Sequence, residues 1–244
     1  DRKNIQEAVE DSLKRLRTDY IDLYQLHWPN RGSYHFQQFW SYTPIDQDHE
    51  AIETNLVEIL ETLGDLVQQG KIRHIGLSND TAWGVMRYLH IAKEQNLPRI
   101  TSVSNEYNLL CRHYDNDLAE ISWHENVSLL PHKPLAAGLL SGKYQDGRTP
   151  KGTRGELVAD LKDRITPIAL DAMGEYLKVA DKHGLDPCQM ALAFILTRSF
   201  TASVIIGATK MSQLKTNIDS IDIHLSQEVL SDISAIYRKY PIPY

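Results

Sequence analysis

The sequence predicts an α/β fold with a parallel sheet, and three observations predict it. Short apolar runs alternate with amphipathic helical patterns at roughly thirty-residue spacing, the order expected of right-handed βαβ units. Ile21, Leu23, Tyr24 and Leu26 form one such run, rich in strand-favouring residues, as fits a strand covered on both faces of a parallel sheet. No linker, repeat or low-complexity tract divides the chain, so residues 1–244 are expected to make a single domain. The length of 244 residues also lies close to the roughly 250 typical of a (β/α)8 barrel, although the strands found below are too few for a complete one.

Taken in order, residues 4–17 carry Ile5, Val9, Leu13 and Leu16 at helical spacing, with Asn4 as N-cap and Glu7 completing a capping box. The strand 21–26 follows and ends in His27, Trp28 and Pro29. Ligands of α/β folds bind at the carboxyl ends of parallel strands, so the His27 imidazole is a candidate for proton donation or electrostatic stabilisation. A histidine that hydrogen-bonds a neighbouring strand is the competing reading. Residues 28–48 are irregular and hold Tyr34, Phe36, Phe39, Trp40 and Tyr42, which fits a binding or lid element, or else a folded-back aromatic plug.

An amphipathic helix over 49–69 is stopped by Gly70, and a strand over 71–79 ends in polar residues. The next helix covers 81–95, Pro98 breaks it, and strand 100–106, a shorter helix 118–125 and strand 127–131 follow. Residues 141–168 are again irregular, with several glycines and basic residues; such a loop after a strand end suits phosphate binding or is an ordinary mobile loop. Helices over 169–183 and 187–198, a strand 202–206, and helices 211–219 and 226–240 complete the chain. The strands thus begin near Tyr20, Ile72, Ile100, Val127 and Ala202.

A formal net charge of -6 and a pI near 5.9 exert no global pull on nucleic acid or anionic membrane, so neither is an expected partner. No apolar run reaches the roughly 18 residues a membrane span needs. Cys111 and Cys188 stand far apart without metal spacing, which accords with a reducing, cytoplasmic setting. His27, His74 and His132 approach strand ends, but no His-x-His or carboxylate ligand pattern joins them, so no metal is expected. A barrel hydrolase is disfavoured by the lack of a metal or nucleophile motif.

Four stretches resemble the aldo-keto reductase superfamily, in its branch of bacterial reductases and potassium-channel β subunits. They are Asp22-Leu-Tyr-Gln-Leu-His-Trp-Pro29, Gly70-Lys-Ile-Arg-His-Ile-Gly-Leu-Ser-Asn79, Pro134-Leu-Ala-Ala-Gly-Leu-Leu-Ser-Gly-Lys-Tyr144 and Ile206-Gly-Ala-Thr-Lys-Met-Ser-Gln-Leu-Lys-Thr-Asn217, in the family's order and spacing. The resemblance implies a (β/α)8 barrel that holds NADP(H) across its carboxyl face and transfers hydride to an aldehyde or ketone, with strands four to eight represented in this chain. It places the nicotinamide amide at Ser78 and Asn79, where a cap for the helix starting near Thr81 is the competing role. It assigns the pyrophosphate to Pro134, Leu135, Gly138, Ser141 and Lys143, with Arg154 as a clasp or as a solvated arginine. Gly207 and Thr209 lead into a helix whose N-terminal amides favour an anion, and Lys210 beside them argues for a ribose 2′-phosphate and hence NADP. Gln213 and Asn217, four residues apart on one helix face, fall where the family reads the adenosine end.

His27 matches the family's catalytic histidine, and Trp28 with the aromatic segment would shape the pocket for an apolar or aromatic carbonyl compound. The family's acid is a Tyr, tuned by a Lys paired to an Asp, and all three would lie before Asp1. The chain is therefore expected to lack the family's N-terminal third, and the open sheet edges this leaves would favour association, so a homo-oligomer is allowed. Two departures stand out. Ser104 takes the place of a Gln, which shortens or removes one nicotinamide hydrogen bond, and His132-Lys133 replace a Tyr-Ser pair whose Tyr stacks on the nicotinamide. A cationic His132 or Lys133 there would repel oxidised relative to reduced nicotinamide. The alternative function is an inactive relative that binds the nucleotide or a partner.

Overall fold

Burial separates the helices into those with one apolar face and those enclosed all round, and the parallel strands lie among them. In chain order the elements are α1 (Arg2–Leu16), β1 (Ile21–Leu26), α2 (His49–Gln68), β2 (Ile72–Ser78), α3 (Ala82–Glu94), β3 (Ile100–Ser104), α4 (Asp117–Glu125), β4 (Ser128–Leu129), α5 (Arg154–Leu157), α6 (Pro167–Lys182), α7 (Pro187–Leu196), α8 (Met211–Asp219) and α9 (Gln227–Lys239). The computed structural model describes residues 1–36 and 38–244. Gln37, within the segment expected to be irregular, lies outside the described residues, as does the side chain of Phe36. The chain divides into two compact units, residues 1–105 with 120–128, and residues 106–119 with 129–244.

In the first unit β1, β2 and β3 run parallel, with Leu26 opposite Leu77 and Ser78 opposite Ser104. The described sheet is open and has the order β1-β2-β3-β4. Ile72, Ile75, Leu77, Ile100 and Val103 are buried, and α2, which packs against β2, buries Leu56, Ile59, Leu60, Leu63 and Leu66. That spacing is the apolar stripe of an amphipathic helix, and Gly70 at φ +73 ends it. Strand β1 departs from expectation. Its residues other than Asp22 are half-buried rather than covered on both faces, because β1 is an edge strand that pairs only with β2 among the described residues. The N-cap of α1 is Asp1, whose carboxylate accepts from the Asn4 amide at 2.9 Å, so the helix starts three residues earlier than Asn4 as N-cap would allow.

In the second unit α7 is enclosed from Met190 to Ile195, and α6 contacts it and α9 through Ala172, Met173, Tyr176 and Val179. Parallel pairing continues here as single bridges, Glu106 with His132 and Leu129 with Thr201. The strand expected over 202–206 does not form. Its backbone is tied to the neighbouring segment by Ala202 N to Leu129 O (3.0 Å) and Ile205 N to Pro131 O (3.0 Å), too sparse a ladder for a strand. Thr166, Asp186 and Ser226 cap α6, α7 and α9 with side-chain oxygens.

Candidate active site

The carboxyl ends of β1, β2 and β3 gather the polar residues of the first unit. The Ser78 hydroxyl donates to the Ser104 carbonyl at 2.8 Å, and the Asn79 amide N–H donates to the same oxygen at 3.0 Å. Asn79 sits at φ +55, a left-handed conformation that asparagine tolerates, and its Nδ2 donates to the His27 carbonyl at 2.9 Å and to Ser78 Oγ at 3.1 Å. Ser78, Asn79, Ser104 and His27 are thus brought together. The His27 main-chain carbonyl ties β1 to the end of β2. His27 is exposed, its ring 5.2 Å from that of Trp28. The cap of α3 is neither Asn79 nor Asp80 but Thr81, whose hydroxyl accepts from Gly84 N at 3.3 Å.

Among the described residues of 28–48, part of the aromatic set folds together while Trp40 stays exposed. Tyr34 packs its ring against Phe39 and Tyr42 at 5.8 and 6.2 Å, and Gln47 Nε2 donates to the Arg31 carbonyl at 2.7 Å. Arg31 forms a buried ion pair with Asp80 and stacks over Trp83 at 5.1 Å. A Cβ on Gly84 would collide with both partners, so glycine in the first turn of α3 makes room for the pair. Asn105 locks the same corner, accepting from Asp80 N (3.1 Å) and donating to Asp80 O (2.8 Å). Burial pushes the Asp80 carboxyl up, and the charge and hydrogen bond of Arg31 with the Thr81 amide only partly oppose it.

In the second unit the segment after the Glu106–His132 bridge turns on left-handed residues: Lys133 (φ +53), Ala136 (+48), Ala137 (+58), Gly138 (+99) and Gly142 (+77). Non-glycine residues in that region each cost on the order of 1 kcal/mol, and such strain clusters at ligand-binding segments. Ser141 Oγ donates to the Gly138 carbonyl at 2.7 Å, and a Cβ on Gly138 would lie 2.8 Å from Lys143 Nζ, so the glycine keeps Lys143 against its backbone. Pro134 is buried and Leu135 half-buried beside them; Arg154 is exposed at the start of α5. Gly207, Thr209, Lys210 and Gln213 are exposed around the start of α8. Gln213 Oε1 accepts from Thr209 N at 3.0 Å and Thr209 Oγ1 at 3.1 Å, and the Asn217 side chain reaches the Gly207 carbonyl at 3.5 Å. Lys210 is the N-cap residue and supplies no side-chain cap. The first turn of α8 therefore keeps amides for an external acceptor, the feature that fits an anionic group of a cofactor there.

Beneath this segment lies a cluster that sequence reasoning missed. Glu106 is buried and accepts from Arg164 at both carboxylate oxygens, from Lys133 Nζ at 3.2 Å and from the Tyr244 hydroxyl at 3.0 Å. Burial pushes its carboxyl up, but the hydrogen bonds and charge of Arg164, with the charges of Lys133 and His132, outweigh that and bring it down to about 2. Lys133 is therefore paired, not the bare cation its sequence position implied, and its ammonium is pushed down by burial. The available signal for Glu106 was its place just past the end of β3, ahead of the apolar Leu109 and Leu110.

An open cleft of about 720 Å³, lined by Glu10, Lys14, Arg17 and Lys71 among others, lies at the amino ends of β1 and β2, away from these residues. Among the described residues no group of three or more His, Cys, Asp or Glu side chains could hold a metal, and no helix is long and apolar enough to cross a membrane.

The aldo/keto reductase family model matches residues 1–238. The chain belongs to the aldo/keto reductase family. Protein tas of Escherichia coli is 46% identical over 243 residues, covering all of this chain and 69% of that protein. An aldo-keto reductase of Babesia bovis is 38% identical over 229 residues, 88% of this chain and 79% of its own length. A putative voltage-gated potassium channel β subunit of Schizosaccharomyces pombe is 28% identical over 249 residues, 99% and 66% respectively. Membership of the aldo/keto reductases gives the chain a general oxidoreductase role and a nicotinamide cofactor, and implies a (β/α)8 barrel, of which the described strands form an open parallel sheet of four.

Proposed function

We propose that the protein is an NADP(H)-dependent oxidoreductase that reduces aldehydes or ketones to alcohols. The observation that carries the choice of NADP over NAD is Lys210, exposed at the uncapped N-terminus of α8 with Thr209 and Gln213 beside it. A ribose 2′-phosphate is the anion such a site suits, because helix amides and an ammonium act on it together. Ser141 and Lys143, with Pro134, Leu135 and Gly138, would hold the pyrophosphate, and Arg154 would clasp it. Ser78, Asn79 and Ser104 would fix the nicotinamide amide, and His132 would lie against the ring. The bound nicotinamide supplies the hydride. His27 would orient the carbonyl and support its protonation, held by the Asn79 bond to its backbone, while Trp28 favours an apolar or aromatic carbonyl compound. Separate free thiols at Cys111 and Cys188 accord with a reducing, cytoplasmic setting.

A second reading, a relative that binds the nucleotide or a partner without turnover, is supported by the 28% identity to a putative voltage-gated potassium channel β subunit. Fluorescence titration with NADPH and NADH tests cofactor choice. NADPH should bind tighter, and Lys210→Ala should weaken NADPH by about tenfold or more while leaving NADH unaffected. Equal affinity for both, or an unaltered Lys210→Ala variant, contradicts the assignment. Loss of reduced-nicotinamide absorbance with an aromatic aldehyde separates the enzyme from the silent binder.

A further inference from the structure

The stretch that follows Arg154 is held in an unfavourable backbone by a single side-chain cluster. Asp160, Leu161, Lys162 and Asp163 are four successive non-glycine residues at φ between +46 and +59, a left-handed turn that L-residues avoid. Arg164 stitches that turn together: its Nη1 donates to the Leu161 carbonyl at 2.9 Å and the Lys162 carbonyl at 3.2 Å. The rest of the same guanidinium grips Glu106, with Nε to Oε1 at 3.0 Å and Nη2 to Oε2. Tyr244 closes the cluster from the other side. Its hydroxyl donates to Glu106 Oε1 at 3.0 Å, its ring lies 5.5 Å beneath the Arg164 guanidinium, and the neighbouring Pro243 carbonyl accepts from Thr166 Oγ1 at 2.6 Å. Thr166 in turn caps α6 through Ala169 N at 3.0 Å. Residues 154–166 are thereby fastened at their far end, while Arg154 at their near end stays exposed.

We propose that Tyr244 and Glu106 are positioning residues for the cofactor clasp: through Arg164 they latch residues 154–166 in the conformation that presents Arg154 to the cofactor phosphates. The inference rests on the cofactor reading above. Two links support the coupling of latch and clasp. Lys133, the other cation on Glu106, belongs to the segment that leads into Gly138, Ser141 and Lys143, and the charge of Arg154 is felt at its ammonium. One carboxylate therefore joins the two backbone stretches assigned to the phosphates. A clasp so held should act on how slowly the nucleotide leaves more than on how fast it arrives, since the latch is formed before the ligand comes.

The test uses Tyr244→Phe, which removes one hydroxyl and keeps the ring, with Tyr244→Ala as the larger step. Hydrogen exchange of the ligand-free protein reports the latch directly. Amides of residues 154–166 should exchange faster in Tyr244→Phe, and faster still in Tyr244→Ala, with other segments unchanged. Stopped-flow fluorescence reports the clasp: NADPH dissociation should accelerate by about tenfold in Tyr244→Phe with association nearly constant, as for loss of a hydrogen bond to a charged group. A thermal midpoint within about 4 °C of wild type keeps this apart from general destabilisation. Unchanged exchange of 154–166 overturns the latch. Faster exchange with unaltered NADPH dissociation overturns its role in positioning the clasp. Wild-type protein that binds no nicotinamide nucleotide overturns the underlying cofactor reading and the clasp with it, whereas the exchange result still decides whether the latch exists.

Discussion

Among the described residues, a buried arginine–carboxylate pair pins an irregular segment in each unit, yet the two pairs, Arg31–Asp80 and Arg164–Glu106, differ in how their carboxylates are served. Asp80 receives Arg31 and the Thr81 amide; Glu106 receives Arg164 at both oxygens, the Lys133 ammonium and the Tyr244 hydroxyl. Both acids are buried, and burial is the largest influence on each. For Asp80 it prevails and the carboxyl is pushed up; for Glu106 the donors prevail and it is brought down to about 2. A buried carboxylate is held ionised by the number and charge of its donors, and one arginine with one amide falls short.

The sharpest way to break this comparison is to remove each arginine. Arg164→Met leaves a strongly ionised Glu106 with one ammonium and frees the left-handed turn, so unfolding in urea should show a loss of about 3–5 kcal/mol. Arg31→Met leaves an Asp80 already inclined to take up a proton, and the loss should be smaller, about 1–3 kcal/mol, because a neutral acid tolerates burial better. Equal losses, or a greater one at Arg31, would show that donor number does not govern the two sites.

Helices and the first strands were legible in the sequence because their signals are local. The periodic Leu and Ile residues of α2 and Gly70 after it stand next to what they determine. The burial of β1 was misjudged, since an apolar run such as 21–26 does not say whether a neighbour covers it. The strand expected at 202–206 failed for a related reason: its β-branched residues favour extended backbone, but the ladder is decided by partners elsewhere, and only Leu129 and Pro131 engage it. Within the candidate site the motifs point to Ser78, Asn79, Gly138 and Lys210, whereas they give no sign of the cluster of Glu106, Arg164 and Tyr244. Glu106 and Arg164 lie 58 residues apart, and no spacing rule links them.

Acid titration should sharpen the same contrast at intermediate size, because the two carboxylates respond with opposite sign. The folded value of Glu106 lies below its ordinary 4.5, so its stabilisation is complete above that value and fades as pH falls toward about 2. Asp80 has a folded value above its ordinary 3.8, so its contribution is fully present below 3.8 and is lost as pH rises through the folded value. Urea midpoints measured from about pH 6 to about pH 3 should therefore fall less steeply in Glu106→Gln than in wild type, and more steeply in Asp80→Asn. Parallel slopes for the two variants would refute the opposed directions.

The smallest effect on stability belongs to Lys133, and it separates holding the fold from tuning the cofactor. Glu106 and Arg164 already neutralise one another, so Lys133 contributes the surplus positive charge of the cluster, and burial disfavours that charge. Lys133→Met keeps most of the side chain and removes only the ammonium. Because Glu106 retains both Arg164 bonds and Tyr244, the urea midpoint should move by less than about 1 kcal/mol in free energy, far from the Arg164 effect. Binding should respond differently. If this surplus charge opposes the cationic oxidised nicotinamide, wild type should favour NADPH over NADP⁺, and Lys133→Met should narrow that ratio by raising NADP⁺ affinity. An unaltered ratio would assign Lys133 to packing alone, and a loss of several kcal/mol would move the main support of Glu106 from the arginine to the lysine.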